Sequence, residues 1–371
     1  MDRSGEKIKD GVKTLAANVA RLSRLLTSER GSLPSAYLQD AGLREAYISY
    51  FLPPNIRKIG VPLRELSLHP DGLLAKEKLC ILDIGSGPGT ATLGIREFFS
   101  GRAKAPALEF TAVDQVAENL LAAEKLFSAQ RKETGAVASL TTIRSGIEGV
   151  ERLFNGRFDL IVFSNVLNEL FLRDAGRIAK RTIMLNTVLG RLLAEDGSAI
   201  IIEPALRETA REMLEVRDGI VGRGYNVYSP CPVGGTCPAL ANPKDWCHED
   251  VPWDPPELVK EIDALTGLRK DSLKFSYVVL RKDGRSLFDI SGNGAFRVVS
   301  EPLVSKGKME FYVCGRSGRR LVTRLDKDRT SLNRTFETLR RGAVIGFEHV
   351  VDEGKRLRVG KETSVQDITP R

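Results

Sequence analysis

The stretch that decides the fold reads Asp83-Ile84-Gly85-Ser86-Gly87-Pro88-Gly89-Thr90. It follows the apolar run 79–84, which predicts a buried strand, and it opens the run 90–99, which has helical spacing. Glycines allow a sharp main-chain turn and the close approach of a ligand, and Pro88 suits the first turn of a helix. A strand, a glycine turn and a helix in this order are typical of nucleotide-binding α/β proteins.

Strands and helices alternate on the C-terminal side of this motif. Strands are predicted at 108–113, 140–143, 158–163 and 198–203, and helices at 116–130 and 173–193, with a further helix ending near 221. This alternation predicts an α/β fold with a mostly parallel sheet, of the Rossmann-like kind, covered by helices on both faces.

Two further regions flank the predicted sheet. The N-terminal residues have helical apolar spacing, in which Pro53-Pro54 is expected to stop a helix. Short apolar runs with glycine turns follow residue 296, at 309–314, 320–324 and 343–350, and predict a small β-domain. We therefore expect an N-terminal helical extension at 1–70, a nucleotide-binding domain at 71–303 and a basic β-rich domain at 304–371.

The segment 225–256 interrupts the alternation. It is rich in Pro, Gly and Cys and has little periodicity, so we predict a Cys-rich insertion without regular structure. A bound metal would explain how so irregular a loop stays ordered. A helix at 256–265 and a strand at 274–280 are predicted after it.

The glycine spacing, with an acid two residues before it, resembles the first motif of class I methyltransferases. Asp114 ends the second predicted strand, where carboxylates bond ribose hydroxyls in nucleotide folds. The resemblance implies S-adenosylmethionine as the cofactor. It implies binding residues in four places along the chain: Asp83 with Gly85, Ser86, Gly87 and Gly89 at the methionine part, Asp114 with the neighbouring Gln115 at the ribose, Ser145, Gly146 and Ile147 at the adenine, and Ser164 and Asn165 at the methyl group.

A dinucleotide-dependent dehydrogenase is the main competing interpretation, because Asp114 fits both classes. Such an enzyme normally shows GxGxxG, whereas this chain has GxGxG. The sequence also offers no residues for hydride transfer, so we favour the methyltransferase fold.

Methyl transfer asks little of the protein, because the sulfonium is already activated and alignment supplies much of the rate. A neutral acceptor also needs a group to take its proton. The polar residues expected near the methyl group are Asn165, Asn168 and Glu169. The prolines and aromatic residue of amino-methylating motifs are absent there, and Cys231 suits a metal better than nucleophilic attack on cytosine. Both an RNA methyltransferase and an assembly factor that transfers no methyl group therefore remain open.

Four cysteines are candidate metal ligands. Cys231, Cys237 and Cys247 lie in the insertion, and the fourth ligand could be Cys314 or His248. Cys314 is preferable because His248 directly follows another ligand. Zinc sites usually pair their ligands as CxxC, which is absent here, and widely spaced thiolates also suit an iron–sulfur cluster.

The cysteine pattern carries a closer resemblance. Cys231-Pro, Cys237-Pro, Trp246-Cys247-His248 and the strand-borne Cys314 resemble the small-ribosomal-subunit methyltransferase-like family, which includes a mitochondrial ribosome assembly factor and bacterial relatives. The stretches 43–53 and 275–282 resemble it too. The resemblance implies a 4Fe-4S cluster on Cys231, Cys237, Cys247 and Cys314, with zinc as the alternative. It also implies binding to small-subunit ribosomal RNA during assembly or early translation.

Charge is compatible with a polyanionic partner. The net charge is +8 over 371 residues, and residues 301–371 hold 16 Lys and Arg against 10 Asp and Glu. The candidate phosphate contacts there are Arg316, Arg319, Arg320, Arg324, Arg340 and Arg341. No apolar run is long enough to span a membrane, and the acidic start is unlike a mitochondrial presequence. We expect a cytoplasmic monomer of bacterial type, or a mitochondrial matrix protein if the source is a eukaryote.

Overall fold

The computed structural model describes residues 3–34, 36–100, 102, 104–130, 137–290 and 294–370. The chain divides into two compact units. Unit 1 comprises Met1–Val61, Ala75–Ala194 and Val251–Leu273, and unit 2 comprises Pro62–Leu74, Glu195–Asp250 and Lys274–Arg371. The three-part division at residues 70 and 303 stays a prediction.

The described residues begin with several helices, continue with mostly alternating strands and helices, and end with a series of strands. The helices are α1 (Arg3–Leu26), α2 (Ala41–Ala46), α3 (Leu52–Lys58), α4 (Gly60–Leu66), α5 (Thr90–Phe99), α6 (Ala117–Ala129), α7 (Arg177–Leu192), α8 (Arg207–Val221), α9 (Glu257–Thr266) and α10 (Leu287–Ile290). The strands are β1 (Lys78–Ile84), β2 (Ala107–Asp114), β3 (Ala138–Arg144), β4 (Phe158–Ser164), β5 (Leu193–Pro204), β6 (Asn226–Ser229), β7 (Glu249–Pro252), β8 (Ser272–Arg281), β9 (Phe296–Val298), β10 (Leu303–Ser305), β11 (Lys308–Gly315), β12 (Gly318–Leu325), β13 (Val344–Glu348), β14 (Val351–Asp352), β15 (Arg356–Val359) and β16 (Ser364–Asp367). No described helix has both the length and the apolarity needed to cross a membrane.

Four parallel strands form the centre of unit 1. β1 pairs with β2 on one side and with β4 on the other, and β3 pairs with β2, which gives the order β3-β2-β1-β4. Leu79, Ile81, Leu82 and Ile84 of β1 are fully buried, as expected for a strand covered on both faces. The predicted α/β fold is confirmed, and α5 begins and ends at the predicted residues.

The N-terminal helices pack into an apolar cluster of unit 1 that includes Val19, Leu22 and Tyr50. Within them, the prediction that Pro53-Pro54 stops a helix is wrong. α3 begins at Leu52, and the two prolines lie in its first turn. The first N–H groups of a helix have no partner inside the helix, so a proline there loses nothing.

In unit 2, β8 pairs antiparallel with β5, with Ile201 opposite Val278, and with β6. The prediction that 225–256 lacks regular structure is therefore wrong at its start. Tyr228 and Ser229 of β6 are fully buried, so the insertion opens on a core strand. A short 3-10 turn, Pro238–Ala241, and β7 follow within it.

A second sheet of unit 2 has the order β14-β15-β12-β11-β9-β13-β16, with β10 pairing to β11. Its pairings are antiparallel except for β12 with β15. Phe311, Val322 and Phe336 are fully buried in its core, and the rings of Phe311 and Phe336 meet edge to face. The sheet carries Cys314 on β11, one residue before the strand ends.

Candidate functional site

The glycine turn after β1 adopts backbone angles that favour glycine. Gly85, Gly87 and Gly89 have φ values of 67°, 52° and 84°. At Gly85 there is also no room for a side chain, because a Cβ would lie 2.3 Å from Cγ2 of Val166 in the loop after β4. The turn therefore brings the main chain of β1 against the loop that holds the candidate catalytic residues.

Asp114, at the end of β2, ties this turn in place. Its Oδ2 accepts a hydrogen bond from the Gly87 amide at 2.9 Å. Its Oδ1 accepts from the Val116 amide at 2.8 Å and from Nδ2 of Asn119 at 3.2 Å. Burial raises the pKa of Asp114. A carboxylate has about four lone-pair sites, so Asp114 can still accept a hydrogen bond from a ribose hydroxyl.

Asp83 presents an unpaired acceptor beside the turn. Its Oδ2 accepts from the amide and the hydroxyl of Thr92 at 3.1 and 2.8 Å, whereas its buried Oδ1 has no partner. Burial, with a smaller contribution from the charge of Asp114, raises the pKa of Asp83 to about 6. A buried acceptor without a donor fits the amino group that the resemblance places at Asp83.

The remaining predicted cofactor residues follow β2, β3 and β4, at the carboxyl ends of parallel strands where such folds bind ligands. Ser145, Ile147, Ser164 and Asn165 are partly buried, and Gly146 and Gln115 are exposed. The Ser145 amide donates to the Asp114 carbonyl at 3.1 Å. Asn165 has a φ of 58°, and its Nδ2 is buried without a hydrogen-bond partner.

Side chains of the N-terminal segment reach the candidate catalytic residues. Nη2 of Arg30 donates to the carbonyl and to Oδ1 of Asn168, both at 2.8 Å. The Tyr37 hydroxyl donates to Oε1 of Glu169 at 3.3 Å. Burial raises the pKa of Tyr37 well above its ordinary value, and the charges of Glu169 and Asp114 raise it further. Sequence reasoning missed Arg30 and Tyr37, because neither belongs to a motif.

The four cysteines line one cavity of unit 2, as Cys231, Cys237, Cys247 and Cys314. His248, the alternative ligand, is not among the residues that line it, and its ring stacks on Trp246 with centroids 5.7 Å apart. The structure thus brings together the cysteines that the sequence singled out.

The spacing of the sulfur atoms bears on the kind of metal. Within the described part of the chain, no three of these cysteine sulfurs lie within 4.8 Å of one another. Four thiolates around one zinc ion, with bonds of about 2.3 Å, would be about 3.8 Å apart. The sulfur atoms would therefore have to move closer together for three of them to bind one zinc ion.

Burial disfavours the charged form of the thiols. It raises the pKa of Cys237 to about 11 and that of Cys314 to about 12, and in both cases the nearby charge of Cys231 adds to the effect. A metal centre would have to displace these protons to bind. Arg217, Arg297 and Arg319 also line the cavity, and their positive charges favour thiolates.

Helix α8 holds the insertion through two arginines. The Arg217 guanidinium donates to the carbonyls of Val233 and Gly235. Nη1 of Arg211 donates to the carbonyls of Asn242 at 2.8 Å and Asp245 at 2.6 Å. Protein hydrogen bonds thus also account for the order of this loop, which the sequence attributed to a metal.

The predicted phosphate contacts are mostly engaged within the protein. Arg324 is wrong as a candidate, because its side chain is 2% exposed and bonds to Glu337. Four others form ion pairs, Arg316 with Asp289, Arg319 with Asp245, Arg320 with Asp352 and Arg341 with Glu301. Arg340 is exposed.

The parallel strand order, the glycine turn and the acid at the end of β2 define an α/β protein with a Rossmann-like sheet and a glycine turn after its first strand. The family model described as Mitochondrial small ribosomal subunit Rsm22 matches residues 77–343, and the chain belongs to this family. The resemblance drawn from the cysteine pattern is thereby confirmed at the level of the family. A comparison with curated proteins gives no match.

Solved structures with a similar fold include several methyltransferases. An rRNA methylase from Streptococcus thermophilus has 14% identity, with 59% of this chain and 94% of that chain covered and a TM-score of 0.31. The cyclopropane synthase MmaA2 from Mycobacterium tuberculosis has 13% identity, coverage of 59% and 83%, and a TM-score of 0.35. The plantazolicin methyltransferase BpumL, in complex with SAH, has 14% identity, coverage of 74% and 99%, and a TM-score of 0.34. TM-scores this low carry no argument about the chemistry of this chain.

Proposed function

We propose that this chain is a factor of the small ribosomal subunit that binds S-adenosylmethionine in unit 1 and carries an iron–sulfur centre in unit 2. The observation that carries the proposal is the convergence of Cys231, Cys237, Cys247 and Cys314 on one cavity. The link to the ribosome comes from the family, whose description names the mitochondrial small ribosomal subunit.

The cofactor site is supported by two carboxylate acceptors that lie beside the glycine turn. The unpaired Oδ1 of Asp83 suits a cationic amino group, and Asp114 suits the ribose. Bound S-adenosylmethionine would supply an activated methyl group. Asp83 and Asp114 bind and orient, and neither takes part in bond making.

The residues expected near the methyl acceptor favour a factor that binds the cofactor without transferring its methyl group. A neutral acceptor must give up a proton to a base such as Glu169, whereas Asn168 can only hold the acceptor by hydrogen bonding. Their side-chain oxygens already accept hydrogen bonds from Arg30 and Tyr37. An RNA methyltransferase is the second candidate, and it requires these bonds to open.

The iron–sulfur centre is preferred to zinc because of the spacing of the sulfur atoms. The test is anaerobic purification of the full chain, followed by assays of iron, acid-labile sulfide and zinc. We expect about four iron and four sulfide per chain and broad visible absorption. One zinc per chain without sulfide would overturn this part of the proposal in favour of a structural zinc site.

Cofactor binding and methyl transfer are tested separately. Calorimetry with S-adenosylmethionine measures binding, and a labelled methyl group incubated with small-subunit precursor particles measures transfer. We expect binding without transfer. Stoichiometric labelling of ribosomal RNA would establish the methyltransferase instead.

A further inference from the structure

Two buried N–H groups of the cysteine cavity have no acceptor. Arg217 and Arg319 both line the cavity, and the Nε of each is buried without a hydrogen-bond partner. A buried donor left unpaired destabilises a fold, so such groups call for an explanation.

The rest of each guanidinium is fixed by the protein. Arg217 bonds through its Nη atoms to Asp218 and to the carbonyls of Val233 and Gly235. Nη1 of Arg319 lies 2.7 Å from Oδ2 of Asp245. Each guanidinium is therefore paired with an acidic side chain, and in each the Nε–H is a buried donor without an acceptor.

A third arginine of the cavity shows the contrast. Arg297 also lines it, but its Nε donates to Oε1 of Glu249 at 3.1 Å. Its guanidinium also bonds to Glu65 and Tyr277. Arg297 is thus satisfied by protein acceptors, whereas Arg217 and Arg319 are not.

The chemistry of the cavity limits what these donors can bind. Apart from its charged residues and Trp246, its side chains are the four cysteines and apolar groups such as Pro230, Val233 and Ala239. A protonated thiol is a weak acceptor, whereas thiolate and sulfide of a bound cluster are anionic and accept well.

We propose that Arg217 and Arg319 are positioning residues for the metal centre, and that the Nε–H of each donates a hydrogen bond to one of its sulfur atoms. This inference rests on the proposed iron–sulfur centre. Hydrogen bonds to cluster sulfurs help to set the reduction potential, because they stabilise the more negative, reduced state. The two arginines therefore raise the potential of the centre.

The test compares charge-conserving variants that remove the Nε–H. Arg319→Lys is the main variant, since Arg319 does not bond to the carbonyls of the insertion, and Arg217→Lys is the second. Arg211→Lys is the matched control, because Arg211 also bonds to loop carbonyls from α8 but does not line the cavity. Each full-length protein is assayed anaerobically for iron and sulfide and then titrated with dithionite, with the reduced cluster followed by electron paramagnetic resonance.

We expect Arg319→Lys to keep its iron and to make one-electron reduction about tenfold less favourable, a shift of about 59 mV to lower potential. Arg211→Lys should keep the wild-type potential. If Arg319→Lys keeps its iron and sulfide and has the wild-type reduction potential, the inference about the arginines is wrong, although the proposed cluster is not affected. So would loss of iron from Arg319→Lys at an unchanged melting temperature, since the proposal assigns tuning and not assembly. Absence of iron and sulfide from the wild-type protein would instead remove the proposed centre itself.

Discussion

Cys314 lies directly opposite Arg297 in the antiparallel ladder between β11 and β9. Arg297 is buried and bound by Glu65 at 2.6 Å and by Glu249 at 2.9 Å, and Glu249 comes two residues after Cys247. A buried charge with two partners of this kind is strongly destabilised if one partner is removed. The ladder and the ion pairs thus fix the position of Cys314 relative to the insertion.

Replacing Cys314 with serine should abolish the metal centre. The variant removes one of four thiolates and changes little else in size. We expect Cys314→Ser to lose most of its iron and its visible absorption after anaerobic purification. Cys80→Ser is the matched control, because Cys80 lies on β1 in unit 1, with its thiol 3.7 Å from Glu109.

A third variant, His248→Ala, decides between the two candidates for the fourth ligand. Full iron in Cys314→Ser together with loss of iron in His248→Ala would assign the fourth position to His248. Equal loss of iron from Cys80→Ser and Cys314→Ser would show that the effect is not specific to the cavity.

Gly85→Ala should destabilise unit 1. The substitution places a methyl group 2.3 Å from Cγ2 of Val166 and forces alanine to a φ of 67°. We expect the free energy of unfolding to fall by about 2–4 kcal/mol in urea titrations. Gly146→Ala, where a Cβ meets nothing within 4 Å, should change it by less than about 0.5 kcal/mol.

The double variant Gly85→Ala/Val166→Ala separates the two causes. It relieves the steric contact but not the backbone strain, so we expect it to lose less stability than the sum of the two single changes. Strict additivity would show that the contact between Gly85 and Val166 does not limit this turn.

The parallel strands of unit 1 were predicted well from the sequence, for a physical reason. Parallel strands that are buried on both faces consist of nearly continuous apolar residues. For this reason the predicted ends of β1, β2 and β4 lie within one residue of the observed ends. Pro53-Pro54 was misread because a proline pair fits the first turn of a helix as well as the residues that follow one.

Contacts between residues far apart in the chain could not be predicted from the sequence. Arg30 and Asn168 are 138 residues apart, and no local pattern marks either as a partner of the other. The three cysteines of the insertion were found because thiols clustered in an irregular loop are candidate metal ligands, and Cys314 was added because His248 directly follows Cys247. Arg211 and Arg217, which hold that loop, belong to no motif, although Arg217 falls on the buried side of α8, three residues before Ile220.

Stability should depend on pH through Asp83. Its pKa is raised from 3.8 to about 6, so the folded protein binds this proton more tightly than the unfolded chain does. This group's contribution to stability therefore falls as pH rises from about 4 to about 6 and is constant above that. Between pH 4.5 and pH 7, Asp83→Asn should gain about 2 kcal/mol of unfolding free energy relative to wild type, measured without cofactor.

The control for this experiment is Glu109→Gln, an exposed carboxylate on β2. It should follow the wild-type protein at both pH values. A difference between Asp83→Asn and wild type that does not change with pH would mean that Asp83 keeps an ordinary pKa in the folded protein.

Asp114→Ala should separate cofactor binding from RNA binding. The change removes the expected ribose acceptor and the bond to the Gly87 amide. We expect at least a tenfold loss of affinity for S-adenosylmethionine by calorimetry, which corresponds to about 1.4 kcal/mol. Filter binding of small-subunit ribosomal RNA should stay within about twofold of wild type. A parallel loss of both affinities would mean that RNA contacts the cofactor site or needs the cofactor bound.

Arg340 and Arg324 provide a test of whether the basic surface of residues 304–371 binds RNA. Arg340 is exposed, whereas the Arg324 side chain is buried and bonds to Glu337 at 3.1 Å. We expect Arg340→Ala to weaken RNA binding for all sequences and to reduce the slope of log affinity against log salt by about 1, because one phosphate contact is lost. Arg324→Met should leave that slope unchanged and lower the free energy of unfolding by about 2 kcal/mol, since it breaks a charged hydrogen bond. If Arg340→Ala binds RNA with the wild-type affinity and salt slope, Arg340 makes no phosphate contact.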